Sequence, residues 1–336
     1  MPVVISAKVS KALRGIAILI VIASHYAGWM YVEPVHIRAH HMISTWGPPG
    51  VDIFLLFSGY GLYLSAHKGR NDRCPGGISG RFVLRRIFGA LIPYLLIAGL
   101  INCYAGAWTQ AAAEGTLKSV ILDYLTCAEF WYMQVLFVLY GLFILCFRFG
   151  RALRLPLLTL TVILYTIRLY QTGHADFWEL SNPAFLIGVW AGAAECRFPE
   201  QLKKPLVRAG VGILGLIGMG ISFDRMQRNG GSGVPESFGW ELVMNLFFTL
   251  IVLSIAWLLT NWPGIVLRLL GETSLFIYLL HTILFWNIIF RLDFLGYTRA
   301  AMITGAITLV IGCAVGSLYN HLSELFFRRI AKPRKI

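Results

Sequence analysis

The chain has 336 residues, of which 57% are hydrophobic and only 13% charged, and its mean hydropathy is +0.69. Soluble domains carry roughly 25% charged and about 45–50% apolar residues, so a soluble globular enzyme, a disordered chain and a secreted disulfide scaffold are excluded. A polytopic membrane protein remains. The net charge of +13 is a balance often met in nucleic-acid-binding proteins. Here the charges lie mostly in loops on one side of the apolar runs, which suits an anionic lipid leaflet instead. The partners expected on this ground are membrane lipids, with no nucleic acid.

A bilayer-crossing helix takes about 20 apolar residues, and ten stretches qualify in chain order. They are about Ala12–Tyr31, Gly50–Ser65, Arg86–Ala105, Phe130–Phe147, Leu155–Tyr170, Pro183–Ala194, Leu206–Phe223, Trp240–Leu259, Ser274–Phe290 and Ala300–Phe327. The sixth is short and reads as tilted or re-entrant. An amphipathic stretch at about Ala111–Cys127 is expected to lie along the surface. Ten spans leave roughly 12 residues for each loop or tail, too few for a folded soluble domain, so residues 1–336 read as a single membrane domain. The apolar run after Lys8, Lys11 and Arg14 looks like a signal peptide, but without a convincing cleavage site it reads as the first span.

Placing the N-terminus in the cytoplasm and alternating puts only seven of the 29 Lys and Arg residues outside: Arg38, Lys118, Arg168, Arg225, Arg228, Arg291 and Arg299. Such a bias predicts an all-α protein of about ten helices with both termini cytoplasmic. Gly188 and Gly192, Gly312 and Gly316, and the run Gly210, Gly212, Gly215, Gly218 and Gly220 are expected to permit close helix contacts. The loop Asp224–Gly239, rich in glycine, should be flexible. The cysteines (Cys74, Cys103, Cys127, Cys146, Cys196 and Cys313) show no C-x-x-C pair and read as small buried hydrophobes. His36, His40 and His41 cluster without a Cys or a fixed carboxylate spacing, so no metal site is expected.

Ionisable groups inside a bilayer are costly and point to function. Arg14 and His25 are 11 residues apart, or three helical turns plus about 20°, which puts them on one face about 16 Å apart. Arg14 is either a cytoplasmic anchor or a fork for a phosphate. His25 is either a helix-to-helix hydrogen-bonding group or a neutral base for an attacking hydroxyl. A long donor with phosphates at one end and a thioester at the other, as in coenzyme A, has the shape to bridge them. Asp52, at the head of the second span, either caps that helix or orients His25. Ser58 and Gly59 lie mid-span. Arg85 and Arg86 suit anionic lipid or donor phosphates. Trp131 and Tyr132 fit an outer aromatic belt, with Glu129 beside them. Tyr278 and His281 share a face of the ninth span. A transporter or flippase for a glycolipid or polysaccharide fits ten spans equally well, though no internal repeat is visible.

Leu13-Arg14-Gly15-Ile16-Ala17 through His25 resembles the R-x10-H signature of the membrane acyltransferase-3 family. Gly50-Val51-Asp52 through Ser58-Gly59-Tyr60, Phe82 to Tyr94 with Arg85-Arg86 and Pro93-Tyr94, Phe130-Trp131-Tyr132, and Ser274 through His281 are similar to four further blocks in the family's order. The family often has another basic residue where Gly89 and Ala90 stand. The resemblance implies an integral-membrane O-acyltransferase, in the stand-alone form without an SGNH hydrolase domain. It would move acetyl, or another short acyl group, from acyl-CoA to a cell-surface or lipid-linked carbohydrate. His25 would then be catalytic, with Asp52 and Ser58 in support. Arg14, Arg85 and Arg86 would serve the donor, and Trp131, Tyr278 and His281 would line or support the site. Acyl-CoA would be a co-substrate, with no permanently bound cofactor and no metal. The setting implied is a cell membrane, the bacterial cytoplasmic membrane in particular.

Overall fold

The computed structural model describes residues 4–29, 43–44, 47–68, 78–104, 130–173, 177–231, 234–259 and 264–331. The stretch 111–127, Glu129 and His36, His40 and His41 lie outside them. Among the described residues there is no strand, and a helix occupies each stretch read as a span. Among the described residues the α-helices of seven or more residues are α1 (Ala7–Trp29), α2 (Gly47–Lys68), α3 (Gly80–Arg86), α4 (Ile92–Tyr104), α5 (Trp131–Cys146), α6 (Arg151–Gln171), α7 (Asn182–Arg197), α8 (Pro205–Arg228), α9 (Phe238–Leu258), α10 (Ile265–Ile289) and α11 (Tyr297–Ala331). A π-helical turn, Ile87–Leu91, joins α3 to α4 without a break.

Among the described residues, six stretches are long and apolar enough to cross a membrane by length and composition: Gly80–Ile101, Arg151–Gln171, Pro205–Arg228, Pro235–Leu258, Ile265–Ile289 and Tyr297–Arg329. Their outward faces are apolar. On α8, Leu206, Ile213, Leu214, Leu216, Ile217, Ile221 and Phe223 are all exposed. That surface would be a liability in water and is ordinary against lipid. The protein is an all-α membrane protein.

Several helices begin earlier than hydropathy alone suggests. Helix α2 starts at Gly47 because Pro48 and Pro49 suit a first turn, where their missing N–H groups have no partner to lose. Asp52 therefore sits in the second turn and does not cap the helix. Helix α3 starts at Gly80, where the Ser79 hydroxyl accepts from the Phe82 amide at 3.1 Å. That places Arg85 and Arg86 within the helix. Helix α7 has 16 residues, about 24 Å of rise, shorter than a bilayer core of about 30 Å.

Packing radiates from α1. It lies between α2 and α10, α2 rests on α7, α10 rests on α11, and α8 and α9 pair side by side. Glycines set the closest of these contacts. A Cβ added at Gly15 would stand 2.0 Å from the Leu267 carbonyl oxygen, and one at Gly271 would stand 1.7 Å from that of Lys11. Gly59 and Gly188 do the same for α2 and α7 against Phe185 and Leu56. Gly312 and Gly316 meet α10, and Gly212, Gly215 and Gly218 meet α9, whereas Gly210 and Gly220 face open space. The glycine run in α8 is thus a contact on one face only, because positions 210 and 220 fall off it.

Among the described cysteines, Cys146 is buried, and Cys196 and Cys313 are partly so. Near the carboxy-terminal end of α7 the buried Glu195 accepts from the Tyr60 hydroxyl at 2.6 Å and the Val4 amide at 2.7 Å. It ties the amino-terminal segment to α2 and α7. Glu195→Ala leaves both donors without this acceptor, an expected loss of about 1–3 kcal/mol. A lowered unfolding temperature in detergent would register it, and an unchanged one would mean that water replaces the carboxylate.

Candidate active site

Helices α1 and α10 run in the same direction, since their contacts advance together. Gly15 meets Gly271 at one level, and ten residues further along each helix His25 meets His281. The rise between the two levels is about 15 Å. Nδ1 of His25 lies 2.7 Å from Nε2 of His281, and the rings are stacked with centroids 4.9 Å apart. The other nitrogen of His281, Nδ1, is hydrogen-bonded to the Tyr278 carbonyl.

These contacts fix the tautomers. A carbonyl oxygen only accepts, so Nδ1 of His281 carries the proton. With both rings neutral, Nε2 of His281 offers a lone pair and Nδ1 of His25 donates to it. Nε2 of His25 is left as the basic nitrogen. Trp29, one turn beyond His25, stacks on both imidazoles at 5.1 and 5.7 Å. The Tyr26 hydroxyl reaches Thr308 of α11 at 2.8 Å and the His281 carbonyl at 3.3 Å. Sequence reasoning missed Trp29 and Tyr26, although the i, i+4 spacing of His25 and Trp29 puts them on one face.

Below the histidines, a cavity of about 120 Å³ is lined by Arg14, Phe54, Ser58, Gly89, Ala90, Tyr132, Leu136, Tyr140, Ser274, Leu275 and Tyr278. Arg14 enters it half-buried, its Nε donating only at 3.4 Å to the Ser10 carbonyl. No carboxylate pairs with it among the described residues. Glu272, which interacts with it at longer range, is paired with Lys11 instead. Tyr132 and Tyr140 lie close by, as does Arg86. A guanidinium without a carboxylate partner among the described residues, beside tyrosine hydroxyls and a second guanidinium, has the chemistry to receive an anion. Ser58 and Tyr132 meet through their hydroxyls, and the Tyr132 and Tyr278 rings stand edge to face at 5.3 Å. Tyr278 links the two halves: its side chain lines the cavity and its carbonyl fixes His281.

The remaining sequence candidates are dispersed. Arg86 turns inward, donating to Ser65 at 3.1 Å and covering the Phe82 ring at 5.3 Å. Arg85 turns the other way, into an open groove with Arg81, Phe327 and Arg328. Asp52 is buried beside Ser181, although neither side chain completes a hydrogen bond among the described residues. It is His281, and not Asp52, that holds His25. Trp131 packs on Trp178 at 6.1 Å. Tyr140 and Ser274 complete the cavity; Tyr140 was legible as the i+8 partner of Tyr132 on one helix face.

An apolar helical bundle whose Arg14-lined cavity leads up to a paired histidine fits an enzyme embedded in a membrane. The model of the acyltransferase-3 family, described as an acyltransferase domain, matches residues 10–319. The chain belongs to this family and is a membrane acyltransferase. No curated protein and no solved structure matches it significantly.

Proposed function

We propose that the protein moves an acetyl or other short acyl group from cytoplasmic acyl-CoA to a hydroxyl of a cell-surface or lipid-linked carbohydrate. In this reading all ten helical stretches cross the membrane, both termini are cytoplasmic, and the chain is one multi-pass domain of the cell membrane, as in the bacterial cytoplasmic membrane. The observation that carries it is the His25–His281–Tyr278 chain of hydrogen bonds, which presents a basic nitrogen one helical turn above a cavity holding Arg14, an arginine with no carboxylate partner among the described residues.

Each part then has a task. Arg14 and Arg86 hold donor phosphates, with Arg85 at the groove on the same side. The acyl-bearing arm runs through the cavity past Ser58, Tyr132 and Tyr278. Nε2 of His25 takes the proton of the acceptor hydroxyl as its oxygen bonds to the thioester carbonyl carbon. The carbon–sulfur bond breaks, and the proton passes from His25 to the departing thiolate, leaving an ester and a free thiol. His281 orients His25, while Asp52 supports the head of α2 beside Ser181.

Membranes containing the protein, given acetyl-CoA labelled in its acetyl group, are expected to place label in extractable carbohydrate and release one thiol per ester. Thiol release with no labelled carbohydrate or lipid would remove the glycan acceptor. No turnover with acetyl- or succinyl-CoA, in folded protein with native glycans present, would overturn the transferase reading.

A further inference from the structure

The wall of the cavity formed by Gly89 and Ala90 has an unusual backbone. Residues Ile87–Leu91 form a π-helical turn in which the Ile92 amide bonds to the Ile87 carbonyl, five residues back. Pro93 follows at once, and proline has no N–H to give. It therefore withholds one backbone donor whichever way the turn winds. In α geometry the carbonyl without a donor would be that of Gly89, four residues before Pro93. In π geometry it is that of Phe88, five residues before. The structure takes the second form, and the Tyr319 hydroxyl of α11 donates to the Phe88 carbonyl at 2.6 Å. The Phe88 ring is seated on the same helix, against Phe326 at 4.8 Å and Phe327 at 5.3 Å. The turn is thus an element with two alternative hydrogen-bonding patterns, and α11 supplies the donor that only one of them can use.

We propose that Tyr319 is a positioning residue for the acyl donor: by capping the Phe88 carbonyl it holds the π-helical turn whose Gly89 and Ala90 wall the cavity between Arg14 and the histidine pair. A π turn widens a helix locally and is frequent where a helix borders a functional site. Here it coincides with small residues on the cavity side, where a Cβ at Gly89 would meet nothing within 4 Å. Winding the turn back to α geometry would shift the backbone of both residues and reshape the passage for the donor's arm. The inference rests on the acyl-CoA reading above, and acts on the donor alone.

The test measures KM for acetyl-CoA, KM for the acceptor and kcat in the wild type, Tyr319→Phe, Pro93→Ala and the double variant. Tyr319→Phe keeps the ring against Phe276, 5.1 Å away, and removes only the hydroxyl. Its donor KM is expected to rise about three- to tenfold, the usual worth of one such hydrogen bond, with acceptor KM and saturated kcat unchanged. Pro93→Ala restores the missing N–H and lets the turn wind as α, so its donor KM also rises. In that background the Phe88 carbonyl is taken by the Ile92 amide, so adding Tyr319→Phe should change nothing further. This non-additivity is one that loss of general stability does not produce. Should Pro93→Ala fail to fold, the KM split in Tyr319→Phe decides alone. A wild type that turns over acetyl-CoA beside a Tyr319→Phe variant with unaltered donor KM overturns this inference and leaves the transferase reading standing. A wild type that uses no acyl-CoA removes both.

Discussion

His25→Ala is expected to lower acyl transfer by about 10²- to 10⁴-fold, the usual contribution of a positioned acid–base group, while leaving the protein folded and inserted. The side chain sits at the end of its chain of contacts. It donates to His281 and stacks on Trp29, but no helix crossing depends on it. His281→Phe keeps an aromatic ring between Trp29 and Tyr278 and removes the acceptor that orders the His25 tautomer. Partners that fix a histidine's tautomer are typically worth about 10–100-fold, so this variant should fall between the wild type and His25→Ala. The double variant should be no slower than His25→Ala alone, because His281 has nothing left to orient. Rates in membranes normalised to inserted protein read all three. Full activity of His25→Ala would remove the general base from the mechanism.

The largest structural effect is expected at the crossing of α1 and α10. Gly271→Leu would drive a side chain into the Lys11 carbonyl, where even a Cβ has only 1.7 Å. The clash is with backbone, so no rotamer relieves it, and the helices must separate. Overpacking of this kind costs about 1–3 kcal/mol or more, enough to consume much of a domain's net stability of about 5–15 kcal/mol. A monodisperse detergent peak should give way to aggregate, with the milder Gly271→Ala between the two. Gly220→Leu, on α8 where the added group meets nothing within 4 Å, is the control and should behave as wild type. A well-behaved, active Gly271→Leu would show that the crossing is looser than described.

Much of this was legible in the residues because a bilayer imposes simple rules. Backbone groups must be satisfied internally, so each long apolar run becomes a helix, and every run read as a span does so here. Arg14, Ser58 and Tyr278 stood out as polar groups in apolar surroundings, and the structure brings all three to one cavity. The register between helices was not legible. Nothing in the spacing of α1 announces that His25 will meet His281, because that pairing depends on Gly15 and Gly271 setting the contact from residues 256 apart. Asp52 illustrates the opposite difficulty. Its position after two prolines suggests a cap, but the prolines themselves start the helix and carry Asp52 into its second turn, beside Ser181. The π turn was hidden as well, since Pro93 shows that a carbonyl must lose its donor but not which one, or that Tyr319 waits to receive it.

The pairing of α1 with α10 also governs how the molecule is made. His25 and His281 are 256 positions apart, so the first helix enters the membrane long before its partner has been translated. Throughout synthesis α1 carries a guanidinium and an imidazole into the bilayer with no α10 to shelter them. A chain that terminates before residue 265 carries Arg14, Arg85 and Arg86 and yet lacks the helix that pairs with His25 and lines one side of the cavity. Such fragments are expected to be inactive, because His25 then has no His281 to set its tautomer. They also leave the Gly15 face without the helix that covers it in the complete chain. The histidine pair is thereby assembled only late in biogenesis, when α10 settles against α1.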